Sequence, residues 1–191
     1  SKDWLFQGLK SLRENNVSMV AGRIEFTFKN SQPNIWEYFD AAGKLNQKSY
    51  VENAGFGATA NLFLRKLMFE KYGVFLDELK SGGDYEFGRR LTKLGERLIY
   101  SQKTLVKHPA RATFIEKYNK SKRIAIGQKN LSEMGLLNHG ELSWRQLIPT
   151  INYASLSKIK IGFIGEFSLI LINNIFKYLN YFWRFDYKSS K

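Results

Sequence analysis

The sequence contains no cysteine among its 191 residues. This absence excludes disulfide bonds, thiolate zinc sites and cysteine nucleophiles, and it favours a reducing compartment. Acidic residues are also scarce, because 17 Asp and Glu stand against 30 Lys and Arg, which gives a net charge of +13. Such an excess is typical of a protein with a polyanionic partner, and nucleic acid, an anionic membrane and nucleotide phosphates all qualify.

The C-terminal region lacks a continuous apolar run of the roughly 20 residues that a membrane-spanning helix needs. Polar residues, Glu166, Asn173 and Lys177 among them, interrupt the apolar stretch between residues 159 and 182. Seven apolar residues of this stretch share one helical face: Ile161, Ile164, Leu171, Ile172, Ile175, Leu179 and Phe182. The segment is therefore predicted to lie on an anionic membrane surface, with packing against the protein or a partner and a true span as the alternatives.

The hydrophobic content of 43% is high enough for a buried core, which excludes a disordered tail. Alternating helical and extended patterns predict an α/β fold. The predicted elements are a helix capped by Asp3 with Leu5, Leu9 and Leu12 on its apolar face, a strand over 17–28, a helix over 35–42 closed by Gly43, a helix with Leu64, Leu67 and Met68 on one face, a helix with Phe87, Leu91 and Leu94, and extended segments over 98–100 and 104–106.

The densest glycine cluster of the chain covers residues 55–61 and includes Gly55, Gly57, Ala58 and Asn61. A tight turn that needs positive φ would explain it, and so would a loop whose backbone approaches a ligand closely. The letters also satisfy the G-x-G-x-x-A form of the dinucleotide fingerprint, but residues 47–53 are too polar for the buried strand that should precede it.

Asp84 follows Gly82 and Gly83 at the point where a helix is predicted to begin. The structural interpretation is an N-cap, because a carboxylate there accepts backbone N–H bonds. The same position favours the charged form of the carboxyl group. An ionised carboxylate in a cleft can act as a general base toward an alcohol.

His108 lies at the end of an extended segment, between Lys107 and Pro109. Two roles are open for it, a structural hydrogen bond and a metal ligand. Imidazole can bind Mn²⁺, but this ion also needs carboxylate ligands, which this segment does not obviously offer. Lys107 and Arg111 are either part of a solvated face or a pair of cations for a diphosphate.

Several segments, taken in order, resemble the C-terminal half of a family 2 glycosyltransferase catalytic domain of the GT-A type, which is Rossmann-like. The resemblance covers roughly residues 17–130 and is carried by Val20-Ala21-Gly22-Arg23-Ile24, GFGATANLFLRK at 55–66, FEKYGVF at 69–75, SGGDYEFGRRLTKLG at 81–95 and LVKHPAR at 105–111.

The resemblance implies a role for each candidate residue. Asp84 matches the catalytic base of the family's acidic motif, although Gly83 stands where the family usually has Glu. The glycine loop, through Gly55, Gly57, Ala58 and Asn61, would lie beside donor and acceptor together with Gly83. His108 matches a histidine that completes a Mg²⁺ or Mn²⁺ site in many members, and Lys107 and Arg111 would assist the diphosphate.

The family's nucleotide-binding N-terminal half, with its Asp-x-Asp metal motif, is expected to precede Asp3. The chain is therefore predicted to divide into a partial catalytic domain over residues 1–130 and a helical, membrane-associated region over 131–191. The missing carboxylates are expected to leave this piece inactive alone. The Gln-x-x-Arg-Trp signature of processive members is absent from the sequence, which favours single-sugar transfer.

The resemblance implies inverting transfer of a sugar from a nucleotide-diphosphate donor to a carbohydrate or lipid-linked acceptor hydroxyl, in polysaccharide or glycolipid synthesis. With no visible secretory leader and no cysteine, the expected place is the cytoplasmic face of a membrane. The main alternative is a non-enzymatic basic module that binds an anionic membrane or nucleic acid through residues 111–129, but no RNP-like or helix-turn-helix pattern supports nucleic acid.

Overall fold

The computed structural model describes residues 2–43, 45–137, 148–149 and 162–186. The chain forms two compact units. Unit 1 comprises residues 1–27 and 45–108, and unit 2 comprises residues 28–44 and 109–191. The domain boundary predicted at residue 130 lies inside a helix of unit 2 and stays a prediction.

Seven α-helices and three strands are found in the described residues. In chain order they are α1 (Trp4–Glu14), β1 (Met19–Thr27), α2 (Ile35–Ala42), α3 (Gln47–Ser49), β2 (Leu62–Leu64), α4 (Leu67–Tyr72), α5 (Gly83–Lys93), β3 (Leu98–Pro109), α6 (Phe114–Glu133) and α7 (Gly162–Asp186). A π-helical turn over Tyr50–Ala54 and a 3₁₀ turn over Thr59–Asn61 flank the glycine loop.

The sheet of unit 1 has the order β2-β1-β3. Strand β1 is central and pairs antiparallel with β2, with Met19 opposite Leu64 and Ala21 opposite Leu62. The first half of β1 is buried, as expected for a central strand whose two faces are covered. The predicted α/β character is confirmed in this part of the chain.

The main core of unit 1 lies where α4 and α5 meet β1. Met19, Met68, Phe87 and Leu91 form one buried cluster, in which Phe87 and Leu91 come from successive turns of α5. Their spacing of four residues places both side chains on the same face of the helix. Packing of this face fixes the position of α5, and with it the position of Asp84 in its first turn.

Unit 2 is built on α2, α6 and α7. The capping box of Asn34 and Glu37 begins α2, and the capping box of Thr113 and Glu116 begins α6, so each helix start is specified locally. The buried residues Phe39, Leu169 and Phe176 form its core. The predicted helix over 35–42 closed by Gly43 is therefore confirmed.

Several local predictions for unit 1 are wrong. Leu64 ends a strand and does not begin a helix, because pairing with β1 determines its conformation. Asp84 is the second residue of α5 and not its N-cap, which is Gly82 in the left-handed conformation. The two extended segments predicted after Leu98 form one continuous strand. Three residues of the predicted apolar helix faces are exposed, namely Leu5, Leu9 and Leu94.

The apolar face predicted for the C-terminal helix is mostly exposed in the described residues. Leu169 and Phe176 of α7 are buried, whereas four members of the predicted apolar face are exposed: Ile164, Leu171, Ile175 and Phe182. Ile161 lies outside the described residues. Among the described helices, none is both long enough and apolar enough to cross a membrane.

Candidate active site

Asp84 occupies the first turn of α5, an 11-residue helix whose N-cap is Gly82 with φ of 86°. Its side chain is half-buried, and Oδ1 accepts a hydrogen bond of 2.9 Å from the backbone N–H of Tyr85. The unpaired N–H groups and the dipole of a helix N-terminus stabilise negative charge. A carboxylate in the first turn of α5 therefore lies where the helix itself stabilises negative charge.

Three aromatic side chains form a row beside Asp84. Tyr50 stacks on Phe56 with ring centroids 4.8 Å apart, and Phe56 meets Tyr85 edge-on at 5.2 Å. Burial raises the pKa of Tyr50, and the negative charge of Asp84 adds to the increase, so the Asp84 carboxylate acts electrostatically on the Tyr50 hydroxyl. This aromatic row, consisting of Tyr50, Phe56 and Tyr85, was not predicted. In the sequence, only the positions of these residues pointed to it: Tyr50 precedes the glycine cluster, Phe56 lies within it and Tyr85 follows Asp84.

The glycine loop is docked closely against β1 and α5. Gly55 has φ of 67°, and its carbonyl accepts a hydrogen bond of 2.9 Å from Thr92 Oγ1 of α5. A Cβ on Gly57 would lie 2.8 Å from Ala21 Cβ, and a Cβ on Gly88 would lie 2.7 Å from Phe56 Cβ. These glycines permit the close packing that brings the loop to the helix that carries Asp84.

Ala58 and Asn61 are buried at the end of the loop. Both backbone polar groups of Ala58 bond to the Gln47 side chain, at 2.8 and 3.0 Å. The Asn61 amide donates to the carbonyls of Arg23 and Thr104 and accepts from Trp4 Nε1, all within 2.9 Å. The structure thus gives Asn61 a role in the fold, with both of its N–H groups engaged, and a substrate contact for either residue stays a prediction.

The remaining predicted binding residues lie in different parts of the fold. Gly83 is the first residue of α5, and a Cβ there would be in ordinary contact, 3.7 Å from the Phe75 ring. Lys107 is exposed on β3 in unit 1. Arg111 belongs to unit 2, where its Nη1 donates to Asp40 Oδ2 at 3.3 Å. Ligand binding by these three residues stays a prediction.

His108 lies near the end of β3, and its ring packs edge-on against Phe26 with centroids 5.6 Å apart. A hard divalent cation needs several oxygen ligands. Within the described residues, no group of three or more His, Asp or Glu side chains could hold a metal ion. The described residues alone therefore do not form the Mg²⁺ or Mn²⁺ site that the resemblance implies.

The chain is similar to a curated glycosyltransferase. The glycosyltransferase AglE of Haloferax volcanii is 32% identical over 127 residues, which cover 66% of this chain and 41% of that protein. The similarity supports a glycosyltransferase. The chain spans about two fifths of this relative's length. No family model matches the chain, so the GT-A family 2 type predicted from the motifs is a finer assignment than the similarity supports.

The geometry of unit 1 suits a particular kind of chemistry. A carboxylate at a helix N-terminus can accept a proton from an alcohol, and half-burial leaves it accessible to one. The neighbouring aromatic row offers flat apolar surfaces of the kind that line small-molecule sites. The combination fits attack by a hydroxyl group on an electrophilic carbon.

Proposed function

We propose that the protein transfers a sugar from a nucleotide-diphosphate donor to an acceptor hydroxyl with inversion at the anomeric carbon, as a GT-A family 2 enzyme. The observation that carries this proposal is the position of Asp84, in the first turn of α5 and beside the aromatic row. The similarity to a glycosyltransferase supports the same reaction class.

In the proposed reaction, the acceptor oxygen attacks the anomeric carbon while Asp84 takes its proton. The bond from that carbon to the diphosphate oxygen breaks on the opposite face, and its electron pair leaves with the nucleoside diphosphate. One base opposite the leaving group suffices for this geometry, and it inverts the anomeric centre. Lys107, exposed on β3, would contribute positive charge toward the diphosphate.

The proposal includes a bound divalent cation, which takes no bond-forming or bond-breaking step itself. When bound, Mg²⁺ or Mn²⁺ would neutralise charge on the departing diphosphate. His108 would supply one ligand, and carboxylates outside the described residues would have to supply the others.

An assay of sugar transfer by the full-length protein tests this function. A panel of nucleotide-sugars is offered with carbohydrate and lipid-linked acceptors, and the release of nucleoside diphosphate is measured with the anomeric configuration of the product. Turnover with inversion supports the proposal. Salt-dependent binding to random oligonucleotides, with no turnover of any nucleotide-sugar, would instead favour the basic nucleic-acid module.

We further propose that α7 associates with the cytoplasmic face of an anionic membrane, where lipid-linked acceptors are found. Its outer stripe consists of the five exposed residues Ile164, Phe167, Leu171, Ile175 and Phe182, of which Ile164 is 82% exposed. Their spacing places them along one line of the helix. An apolar stripe turned away from the core of unit 2 is stabilised when it enters the headgroup region.

The outer stripe predicts a large effect on vesicle binding. Replacing Phe167→Ser together with Leu171→Ser should lower flotation with phosphatidylglycerol vesicles by more than about tenfold, because each buried side chain contributes about 1.5–3 kcal/mol. The matched control is Leu5→Ser with Phe6→Ser, two exposed apolar side chains on α1 of unit 1. Equal flotation of the two double variants would show that the outer stripe does not bind the membrane.

A further inference from the structure

Unit 2 contains a cluster of charged residues in which three cations surround one carboxylate. Asp40 on α2 is 0% exposed. Its Oδ1 accepts hydrogen bonds from Lys117 Nζ at 3.0 Å and Lys120 Nζ at 2.8 Å, and its Oδ2 accepts from Arg111 Nη1 at 3.3 Å. These four residues, Asp40, Arg111, Lys117 and Lys120, are called the Asp40 cluster.

The Asp40 cluster carries an excess of positive charge. One carboxylate offsets one of the three cations, which leaves a net charge of +2. The two nearest acids on the same helices are engaged at helix starts, where Glu37 accepts from the backbone of Lys29 and Asn34 and Glu116 accepts from that of Ala112 and Thr113. In the ion pairs of the described residues, no second acid joins the cluster.

The cations also have hydrogen-bond donors to spare. An ammonium group has three N–H donors and a guanidinium has five. Lys117 and Lys120 each use one such donor on Asp40, and Lys117 additionally lies over the Phe39 ring at 4.6 Å. Since partly buried donors are costly to leave unpaired, the arrangement favours a ligand with several acceptor oxygens.

The exposure of the four side chains shows from which side such a ligand would approach. The side chains of Arg111, Lys120 and Lys117 are 28%, 16% and 10% exposed, whereas that of Asp40 is fully covered. The carboxylate thus lies at the base of the cluster and the three cations at its rim. Burial lowers the pKa of Lys120, and the positive charges of Lys117 and Arg111 lower it further, whereas the hydrogen bond and charge of Asp40 raise it. The net decrease is expected for a surplus of positive charge.

We propose that Arg111, Lys117 and Lys120 bind the phosphate group of a phosphorylated ligand, with Asp40 holding the three cations in place. Two net positive charges match a dianionic phosphate, and a partly desolvated cluster binds it by charge-assisted hydrogen bonds. The molecule that bears this phosphate, called its carrier, is either a soluble nucleoside diphosphate or a lipid phosphate. Only this choice of carriers rests on the proposed function.

The test is a titration of the full chain with inorganic pyrophosphate at fixed ionic strength. Lys120→Met should weaken binding about tenfold or more, because it removes a charged donor. Lys122→Met is the matched control, since Lys122 is exposed on the same helix and its loss removes the same charge. Lys120→Arg should restore binding. Equal affinity of the Lys120→Met and Lys122→Met variants, or no binding by the wild type, would overturn the proposal.

Two further probes identify the carrier. Uridine diphosphate represents a soluble phosphate, and vesicles with phosphatidic acid, compared with phosphatidylglycerol at equal surface charge, represent a lipid phosphomonoester. If Lys120→Met weakens binding of only one of these two probes, the result supports the phosphate site and identifies the carrier as soluble or lipid. Pyrophosphate binding that depends on Lys120, in a protein without glycosyl transfer, would contradict the proposed function and leave this site standing.

Discussion

Replacing Asp84→Asn in the full-length protein should lower sugar transfer by about a hundred- to ten-thousandfold, the range typical of a lost general base. Asparagine keeps the shape of the side chain, and its carbonyl oxygen can still accept the 2.9 Å hydrogen bond from the Tyr85 N–H. The helix start and the aromatic row should therefore persist. What disappears is the capacity to accept a proton from the acceptor hydroxyl.

The measurement is the initial rate of nucleoside diphosphate release, with binding of the nucleoside diphosphate measured in parallel. Binding should change little, because the substitution leaves the glycine loop and Lys107 intact. Asp77→Asn provides a matched control, since Asp77 is an exposed aspartate of unit 1 and undergoes the same chemical change. An Asp84→Asn enzyme that keeps wild-type turnover would exclude Asp84 as the base.

Replacing Asp40→Asn should destabilise unit 2 by about 3–5 kcal/mol, because it leaves three partly buried cations without their common counter-charge. The matched control is Glu133→Gln on α6, whose side chain is 63% exposed and pairs with Lys129 at 3.6 Å. An ion pair whose carboxylate is this exposed contributes about 1 kcal/mol or less. Denaturant unfolding followed by circular dichroism compares the two variants, and equal midpoints would contradict the prediction.

The same carboxylate predicts how stability depends on pH. Burial by itself would raise the pKa of Asp40, but the hydrogen bond and charge of Lys120, the charge of Lys117 and the Arg111 N–H outweigh it and hold this pKa well below its usual range. Because the folded-state pKa is depressed, the stabilisation is complete above the unfolded value of about 4 and is lost as pH falls toward the folded value. Wild-type stability should fall more steeply below that pH than the stability of Asp40→Asn.

The parts of the fold that could be predicted are those that nearby residues specify. Asn34, Glu37 and Gly43 are all within ten residues of one another, and together they determine where α2 begins and ends. Leu64 shows the opposite case. Its spacing from Leu67 and Met68 suits a helix, but its partner in the sheet is Met19, 45 residues earlier in the chain. Local periodicity carries no information about that pairing.

The candidate site divides in the same way. Asp84 was identified because glycines and a helix pattern surround it, while the influence of its charge on Tyr50 depends on contacts between distant segments. Of the Asp40 cluster only Arg111 was singled out, because Asp40 meets its cations across 71 to 80 residues. Leu169 and Phe176 were not placed on the buried face of α7, since apolar residues occur on several sides of that helix and only packing distinguishes them.

The contact between Gly88 and Phe56 has a consequence for protein engineering. Because nothing larger than a hydrogen fits at Gly88, residues 55–57 pack tightly against the first turns of α5. These positions are therefore expected to tolerate substitution poorly. Thr59 and Ala60, in contrast, are exposed two and three residues beyond Gly57. Substitutions in this loop should therefore be confined to positions 59 and 60, and should keep 56, 57 and 88 constant.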